Sequence, residues 1–366
     1  MKLAFEKDEL LYALQIVQGV ASGRTTLPIL SNLLIRAEDG NIECASTDLE
    51  VSIKISVLGT IIEEGAITVS AKKLADIVRE LPDSMIELST TANYRLDLIC
   101  GDGIFKIYGL SDEDFPQLPS IDENVITVDG DTLRNVIYRT EFAASTEEVR
   151  YLLNGLHFNF NQEKTEVVAT DGIRQLALTY CDFLERTEET DSFTVPLKAI
   201  KEISRTFANS QEIKVALGKN QLILSDNNAT LSSRLVEGEY PKYHEIIPSS
   251  FEGRVVVSRE AILQAIRRVA LLSDPKQFAV CLEIEPDGIR VSAKAPEVGE
   301  AYEIVAVESG SGSVRIGSEA RALIDTLAHI VAESVVIEFS GEFSQFTIKP
   351  IGDDQQLHVI MPIRLE

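Results

Sequence analysis

Glu166-Val167-Val168-Ala169-Thr170-Asp171-Gly172-Ile173-Arg174-Gln175-Leu176-Ala177-Leu178 decides how the rest of the chain is read. Two short apolar stretches flank Asp171-Gly172, a dipeptide suited to a tight hairpin turn because both of its residues tolerate positive φ. The same shape stands 123 residues earlier, in Glu43-Cys44-Ala45-Ser46-Thr47-Asp48-Leu49-Glu50-Val51-Ser52-Ile53. Thr-Asp therefore falls at 47–48 and again at 170–171, a spacing close to a third of the 366-residue chain, which predicts a threefold repeat.

Working outward, each copy opens with a strand, a polar cap and an amphipathic helix. In the first, Lys2–Phe5 precedes a helix over Lys7–Val17, where Leu10, Leu14 and Val17 recur at helical spacing and Asp8-Glu9 suit a helix N-terminus. The second reads Val125–Val128 then Asp131–Arg139, and the third Arg254–Ser258 then Glu260–Val269. A second helix recurs midway, over Lys72–Arg79, Lys198–Ile203 and Glu319–Asp325, introduced by Ser70, Pro196 and Gly317-Ser318. Strand-type segments at Tyr94–Ile99, Gln221–Ser225 and Ser344–Ile348 keep the register, and Gly288–Lys294 is the third copy's opening hairpin without its Thr-Asp pair. Linkers fall where Pro and acids cluster, at 111–116 and 240–250. The prediction is an α+β chain of three repeated domains, 1–118, 125–247 and 251–366, each with two helices on one face and antiparallel sheets on the other.

Composition agrees with a multidomain globular protein: 45% apolar and 25% charged residues, in a chain too long for a single core. Met1–Asp8 lacks the apolar core of a secretory leader, and no apolar run approaches ~20 residues, so a cytoplasmic protein is expected. Cys44, Cys100, Cys181 and Cys281 stand singly, which predicts buried thiols and no metal or cofactor. His157, His244, His329 and His358 are isolated, no Gly-x-Ser-x-Gly or His-Glu-x-x-His occurs, and Asp48 and Asp171 read first as turn residues. Nothing here assembles a catalyst.

The formal charge of −24, with pI ≈ 4.6, at first argues against nucleic acid. Position changes that. The six helical windows (7–22, 71–81, 131–143, 197–209, 259–273 and 318–330) hold thirteen Lys or Arg against ten Asp or Glu, a net of +3 that leaves −27 elsewhere. Solvated helix charges are the bland explanation. A bias opposite in sign to the whole chain instead predicts that the helices meet a polyanion while the sheets repel it. A monomeric acidic scaffold binding only proteins is the alternative; it leaves the helix bias unexplained.

Five further stretches carry a family resemblance. They are Arg24–Leu30 (Arg-Thr-Thr-Leu-Pro-Ile-Leu), Arg150–Gly155 (Arg-Tyr-Leu-Leu-Asn-Gly), Ala169–Arg174, Tyr240–Tyr243 with Ile247-Pro248, and Val359–Leu365. In that order, within a threefold repeat, they resemble the bacterial DNA polymerase III beta subunit, or sliding clamp, family over the whole chain. The resemblance implies a head-to-tail homodimeric ring of six clamp domains, with helices lining the hole and sheets outside. It would encircle double-stranded DNA without sequence preference and act as the non-catalytic processivity factor of the replicative polymerase. It implies DNA contacts at Arg24, Arg150, Tyr151 and Lys198, to which the helix cations Lys72, Lys73, Arg79, Lys201, Arg205, Arg267 and Arg268 are added. It implies a groove for peptides of DNA polymerases, the clamp loader and mismatch-repair or other factors, formed by Leu153, Thr170, Gly172, Ile173, Arg174, Leu176, Pro241, Ile246, Val359, Met361, Pro362, Ile363 and Arg364. Glu245 and Gln175 depart from the family's pattern there. The ring would close between Phe105, Lys106 and Ile107 and a surface of Leu271, Leu272, Glu300 and Glu303, with Ile104 and Lys106 where some relatives carry arginine.

Overall fold

The computed structural model describes residues 1–21, 27–91, 93–119, 125–160, 164–181, 192–218, 220–296 and 299–365. The first repeat opens with β1 (Lys2–Phe5), α1 (Lys7–Ala21), β2 (Asn32–Glu38), β3 (Asn41–Thr47) and β4 (Val51–Ser56). It continues through β5 (Thr60–Glu63), β6 (Gly65–Ser70), α2 (Ala71–Glu80), β7 (Ile86–Thr91), β8 (Arg95–Cys100) and β9 (Gly103–Tyr108). The second opens with β10 (Val125–Asp129), α3 (Gly130–Thr140), β11 (Gly155–Phe160), β12 (Thr165–Thr170) and β13 (Gln175–Cys181). After these come β14 (Ser192–Pro196), α4 (Leu197–Thr206), β15 (Glu212–Leu217), β16 (Gln221–Ser225) and β17 (Ala229–Arg234). The third opens with β18 (Gly253–Ser258), α5 (Arg259–Val269), β19 (Ala279–Glu285), β20 (Gly288–Ala295) and β21 (Gly299–Ser311). It ends with β22 (Val314–Glu319), α6 (Ala320–Ala328), β23 (Ser334–Phe339), β24 (Phe346–Pro350) and β25 (Gln356–Ile360).

All six predicted helices form, and burial explains them. The helix α1 buries Leu10, Ala13, Leu14, Val17 and Val20 along one stripe, and α5 does the same with Ile262, Leu263, Ala265, Ile266 and Val269. Ser70 and Ser258 cap α2 and α5 by accepting the Lys73 and Ala261 amides.

The repeats share one strand connectivity. The order β6-β2-β3-β4 in the first recurs as β14-β11-β12-β13 and β22-β19-β20-β21, and β1-β7-β8-β9 recurs as β10-β15-β16-β17 and β18-β23-β24-β25. Two seams join them: β17 pairs antiparallel with β4, and β25 with β13. Compactness follows these sheets rather than the repeats. One compact unit comprises Met1–Asp131 with Lys198–Leu235, the other Thr132–Leu197 with Val236–Glu366, so the division runs through the second repeat.

The two seams are patterned oppositely. At the first, the buried face carries Val51, Ile53 and Ile55 with Leu231 opposite Ile53, while Ser52 faces Ser232 on the other side. At the second, the corresponding buried face carries Gln175, Ala177 and Thr179 with His358 opposite Ala177. There the other side is apolar, with Leu176 opposite Val359 and Leu178 opposite Leu357.

The turn at Asp171 is not the two-residue hairpin that Asp-Gly suggested. Pairing stops at Thr170 and Leu176, and the Asp171 carboxylate organises the span between by accepting the Ile173 and Arg174 amides at 3.0 and 2.8 Å. Only Gly172 takes positive φ, at 75°. The first repeat builds the same turn: Asp48 accepts the Glu50 and Val51 amides, and Thr47 Oγ1 accepts the Leu49 amide as Thr170 Oγ1 accepts that of Gly172. Here, however, a leucine sits at φ 77° with its side chain 48% exposed. Leu49→Gly is expected to stabilise the chain by about 1 kcal/mol, because glycine takes this conformation without strain. A lower melting temperature for that variant would contradict the strain assigned to Leu49.

Candidate functional site

The apolar side of the second seam carries a hydrophobic cluster at the place where the groove is expected. Val168, Leu176, Leu178, Leu357 and Val359 form it, Leu153 flanks it, and Tyr240, Tyr243, Ile246 and Ile247 pack against it from the segment that follows β17. Gly172 sits directly over Leu153, since a Cβ there would stand 2.8 Å from Leu153 Cδ1. Of the groove residues expected from the sequence, Thr170, Leu176 and Val359 are buried, whereas Ile173, Pro241 and Arg364 are exposed. Thr170 acts within the turn, its hydroxyl donating to the Gln175 carbonyl at 2.7 Å. Gln175 points to the opposite side of the sheet, where its Nε2 reaches the Phe142 carbonyl at 3.5 Å. Its departure from the family pattern is therefore a change in the seam's buried face rather than in the groove.

The tail is held by backbone and charge. The Met361 amide donates to the Arg174 carbonyl and the Ile363 amide to the Gly317 carbonyl, both at 2.8 Å. Arg174 itself lies between Asp171 at 2.6 Å and Glu319 at 3.1 Å. Burial alone would raise the Asp171 carboxyl; the Arg174 and Ile173 amides and the Arg174 guanidinium outweigh it and hold the group below its ordinary value. Pro362 is half-buried beside them, and the Arg364 guanidinium lies 5.6 Å from the Phe343 ring centre.

Behind the groove, burial pushes the His157 imidazole down to about 4, against a smaller upward pull from Glu166. Its ring stacks on Tyr240 at 4.3 Å, and its Nδ1 lies 2.9 Å from the Thr194 hydroxyl. His358, on the buried face of the seam, is pushed down to about 3 by burial, with His329 and Arg139 adding to the effect, and neither ring nitrogen has a hydrogen-bond partner. The thiols are buried, and burial raises Cys44 to about 12.

The helix cations divide into two sets. Lys72 and Lys73 on α2, Lys201 on α4 and Arg267 on α5 are exposed and make no ion pair among the described residues. The other expected contacts on helices are engaged: Arg79 with Asp76, Arg205 with Glu202 and the Ile16 carbonyl, Lys198 with Asp48, and Arg268 with Glu303 through two 2.7 Å contacts. Arg150 donates to the Asp171 carbonyl at 2.8 Å, so it props the groove turn, while Tyr151 is exposed beside it. Arg24 lies outside the described residues. The repeat register places Arg321 on α6 where Lys72 and Lys198 stand on α2 and α4, a cation that sequence reasoning counted without proposing.

The strands expected to close the ring are an edge strand, β9, and a strand whose N-terminal part, residues 299–306 of β21, is paired on one side, while 307–311 pair with β18. On β9, Ile104, Phe105, Lys106 and Tyr108 are exposed, but Ile107 is buried in the first repeat, because alternation turns it to the opposite side from Lys106 and Tyr108. On β21, residues 299–306 pair on one side with β20. Glu303 is held there by Arg268, while Glu300, Tyr302 and Ile304 are exposed; Leu271 is exposed and Leu272 half-buried nearby. Ile104, noted in the sequence only for its lack of charge, is 63% exposed; Tyr108 (79%), Tyr302 (61%) and Ile304 (71%) were not named, although period-two alternation of apolar residues on strands was the signal that marks them.

Tandem two-helix, two-sheet domains joined edge to edge, with one apolar groove, define the clamp class of fold. Family models of the DNA polymerase III beta subunit match its N-terminal domain at residues 1–119, its central domain at 127–242 and its C-terminal domain at 244–364. The beta sliding clamps of Vibrio cholerae and Pseudomonas aeruginosa are 31% and 32% identical, each over the full length of both chains. Solved sliding clamps superpose over both whole chains: one from Bartonella birtlesii bound to griselimycin (TM-score 0.94, 30% identity) and one from Bacillus subtilis (0.93, 28%). The chain belongs to the DNA polymerase III beta subunit family, the beta sliding clamps, whose members are processivity factors rather than catalysts.

Proposed function

We propose that two copies of this chain close head to tail into a ring around duplex DNA. The ring tethers DNA polymerases, the clamp loader and repair factors through the groove over Leu176 and Val359. The observation that carries this is the edge left over by the repeat. The edges of β4 and β13 are covered by β17 and β25, whereas residues 299–306 of their counterpart β21 pair with β20 alone, and β9, the counterpart of the covering strands, pairs with β8 alone. The same contact is completed by β9 of one copy on that part of β21 in another, a heterologous interface that must close after a whole number of copies. Outward-facing Ile104 and Tyr108 would meet Tyr302 and Ile304, with Lys106 near Glu300.

Lys72, Lys73, Lys201 and Arg267 then supply phosphate contacts. So few free cations suit sliding, because topology and not affinity retains the ring. Engaged cations such as Lys198 and Arg205 contribute once DNA phosphates displace their carboxylates. A ring that encircles chromosomal DNA works in the cytoplasm, at the nucleoid; separately, no described helix is long and apolar enough to cross a membrane.

Loading the protein onto nicked circular DNA with a clamp loader and ATP, then linearising the circle, tests the reading. The protein is expected to stay on circles and leave through free ends. Equal retention on both forms, or none on circles, would overturn it.

A further inference from the structure

The groove's second wall has an unusual anchor. Residues 241–247 pair with no strand; their backbone bonds are local, such as the Glu245 amide to the Lys242 carbonyl and the Ile247 amide to the His244 carbonyl. Yet this wall carries Ile246 against the hydrophobic cluster. Beyond this packing, side-chain hydrogen bonds tie it to the sheet among the described residues. Gln345 Nε2 donates to the Ile246 carbonyl at 3.3 Å, and at the other end stands Glu166 on β12, 5% exposed. The Glu166 carboxylate accepts the Tyr243 hydroxyl at 2.5 Å and lies 3.0 Å from His244 Nε2. Asn159 Nδ2 on β11 donates to the same carboxylate at 3.3 Å and to the Tyr243 hydroxyl at 2.9 Å. Burying a carboxylate is costly unless donors converge on it, and here donors from β11 and from the wall do.

We propose that Glu166 is a positioning residue of the partner groove: through Tyr243 and His244 it fixes the wall that carries Ile246, and so sets the width offered to a partner's apolar side chains. The proposal rests on the groove reading above. It touches no partner atom; it acts through the wall. Glu166→Gln keeps an acceptor for Tyr243 but presents an amide N–H to the Asn159 and His244 donors, which loosens the anchor without emptying the site.

The test uses the full chain and fluorescein-labelled peptides tiled across the replicative polymerase of the same cell. Binding is followed by polarisation and wall mobility by amide hydrogen exchange. Glu166→Gln and Tyr243→Phe are each expected to weaken the tightest peptide about tenfold. The double variant should be no weaker than either single, because the two act as one unit. Amides of 245–247 should exchange faster in Glu166→Gln while those of 167–169 do not, a difference that a general loss of stability would not produce. Unchanged affinity and exchange in Glu166→Gln, or additive losses in the double variant, would overturn the positioning role and leave the groove standing. Failure of every peptide to bind the unaltered chain would overturn both.

Discussion

Replacing His358 by Leu is expected to remove about 3 kcal/mol of the chain's acid destabilisation at about pH 4.5. The folded imidazole is held down at about 3, against an ordinary value of 6.5, chiefly by complete burial. Between those values the unfolded chain binds a proton that the folded chain refuses. The group's stability contribution is therefore intact above about pH 6.5 and is lost progressively as the pH falls toward 3. Leucine is what the first seam uses at the corresponding place, Leu231, so the substitution fits the sheet. His157, held at about 4 by burial, makes a second loss of the same sign in either protein and so cancels from the comparison. Urea titrations of both proteins at neutral and acid pH measure the difference. Parallel pH profiles for the two proteins would refute the assignment.

Ile104→Asp combined with Tyr108→Asp is expected to turn the ring-forming protein into a monomer, weakening self-association by about a thousandfold or more. Both side chains are largely exposed on β9 in the single chain, so the substitutions leave its core untouched. Against a second copy's β21 each carboxylate would be buried without a partner and would face Glu300. Sedimentation at micromolar concentration reads the result, and an unchanged melting transition at low concentration confirms the fold. A stable dimer in that variant would place the interface elsewhere. Such a variant should also lose retention on circular DNA while still binding partner peptides, since the groove lies within one chain.

The sequence announced repeats and helices because both are written in local periodicity. The Thr-Asp pairs, the acidic first turn of α1 and the Leu10-Leu14-Val17 stripe need no tertiary context to be read. Elements that depend on what lies across a strand were less legible. Ile107 stands in a run of exposed residues, and only the pleat, set by the pairing of β9 with β8, turns it inward. Arg150 was read for a phosphate contact, and nothing in the sequence signalled that one of its guanidinium nitrogens donates to the Asp171 carbonyl, 21 residues away. Gln175 sat inside a groove motif and yet faces away from the groove, because one residue of alternation separates it from Leu176. The Glu166 anchor was invisible for a similar reason, its partners Asn159, Tyr243 and His244 being brought together only by the folded sheet.

The opposite patterning of the two seams fixes the valency of the molecule. A duplicated fold would ordinarily offer duplicated docking places, and β4 with β17 has the same backbone as β13 with β25. Because Ser52 and Ser232 occupy the side where the second seam places Leu176 and Val359, the first seam gives an apolar peptide no purchase. Among the described residues each chain therefore has one such berth, and a two-chain ring two. On the function proposed above, the partners would take turns at a scarce position, and exchange between them would become a matter of competition and residence time.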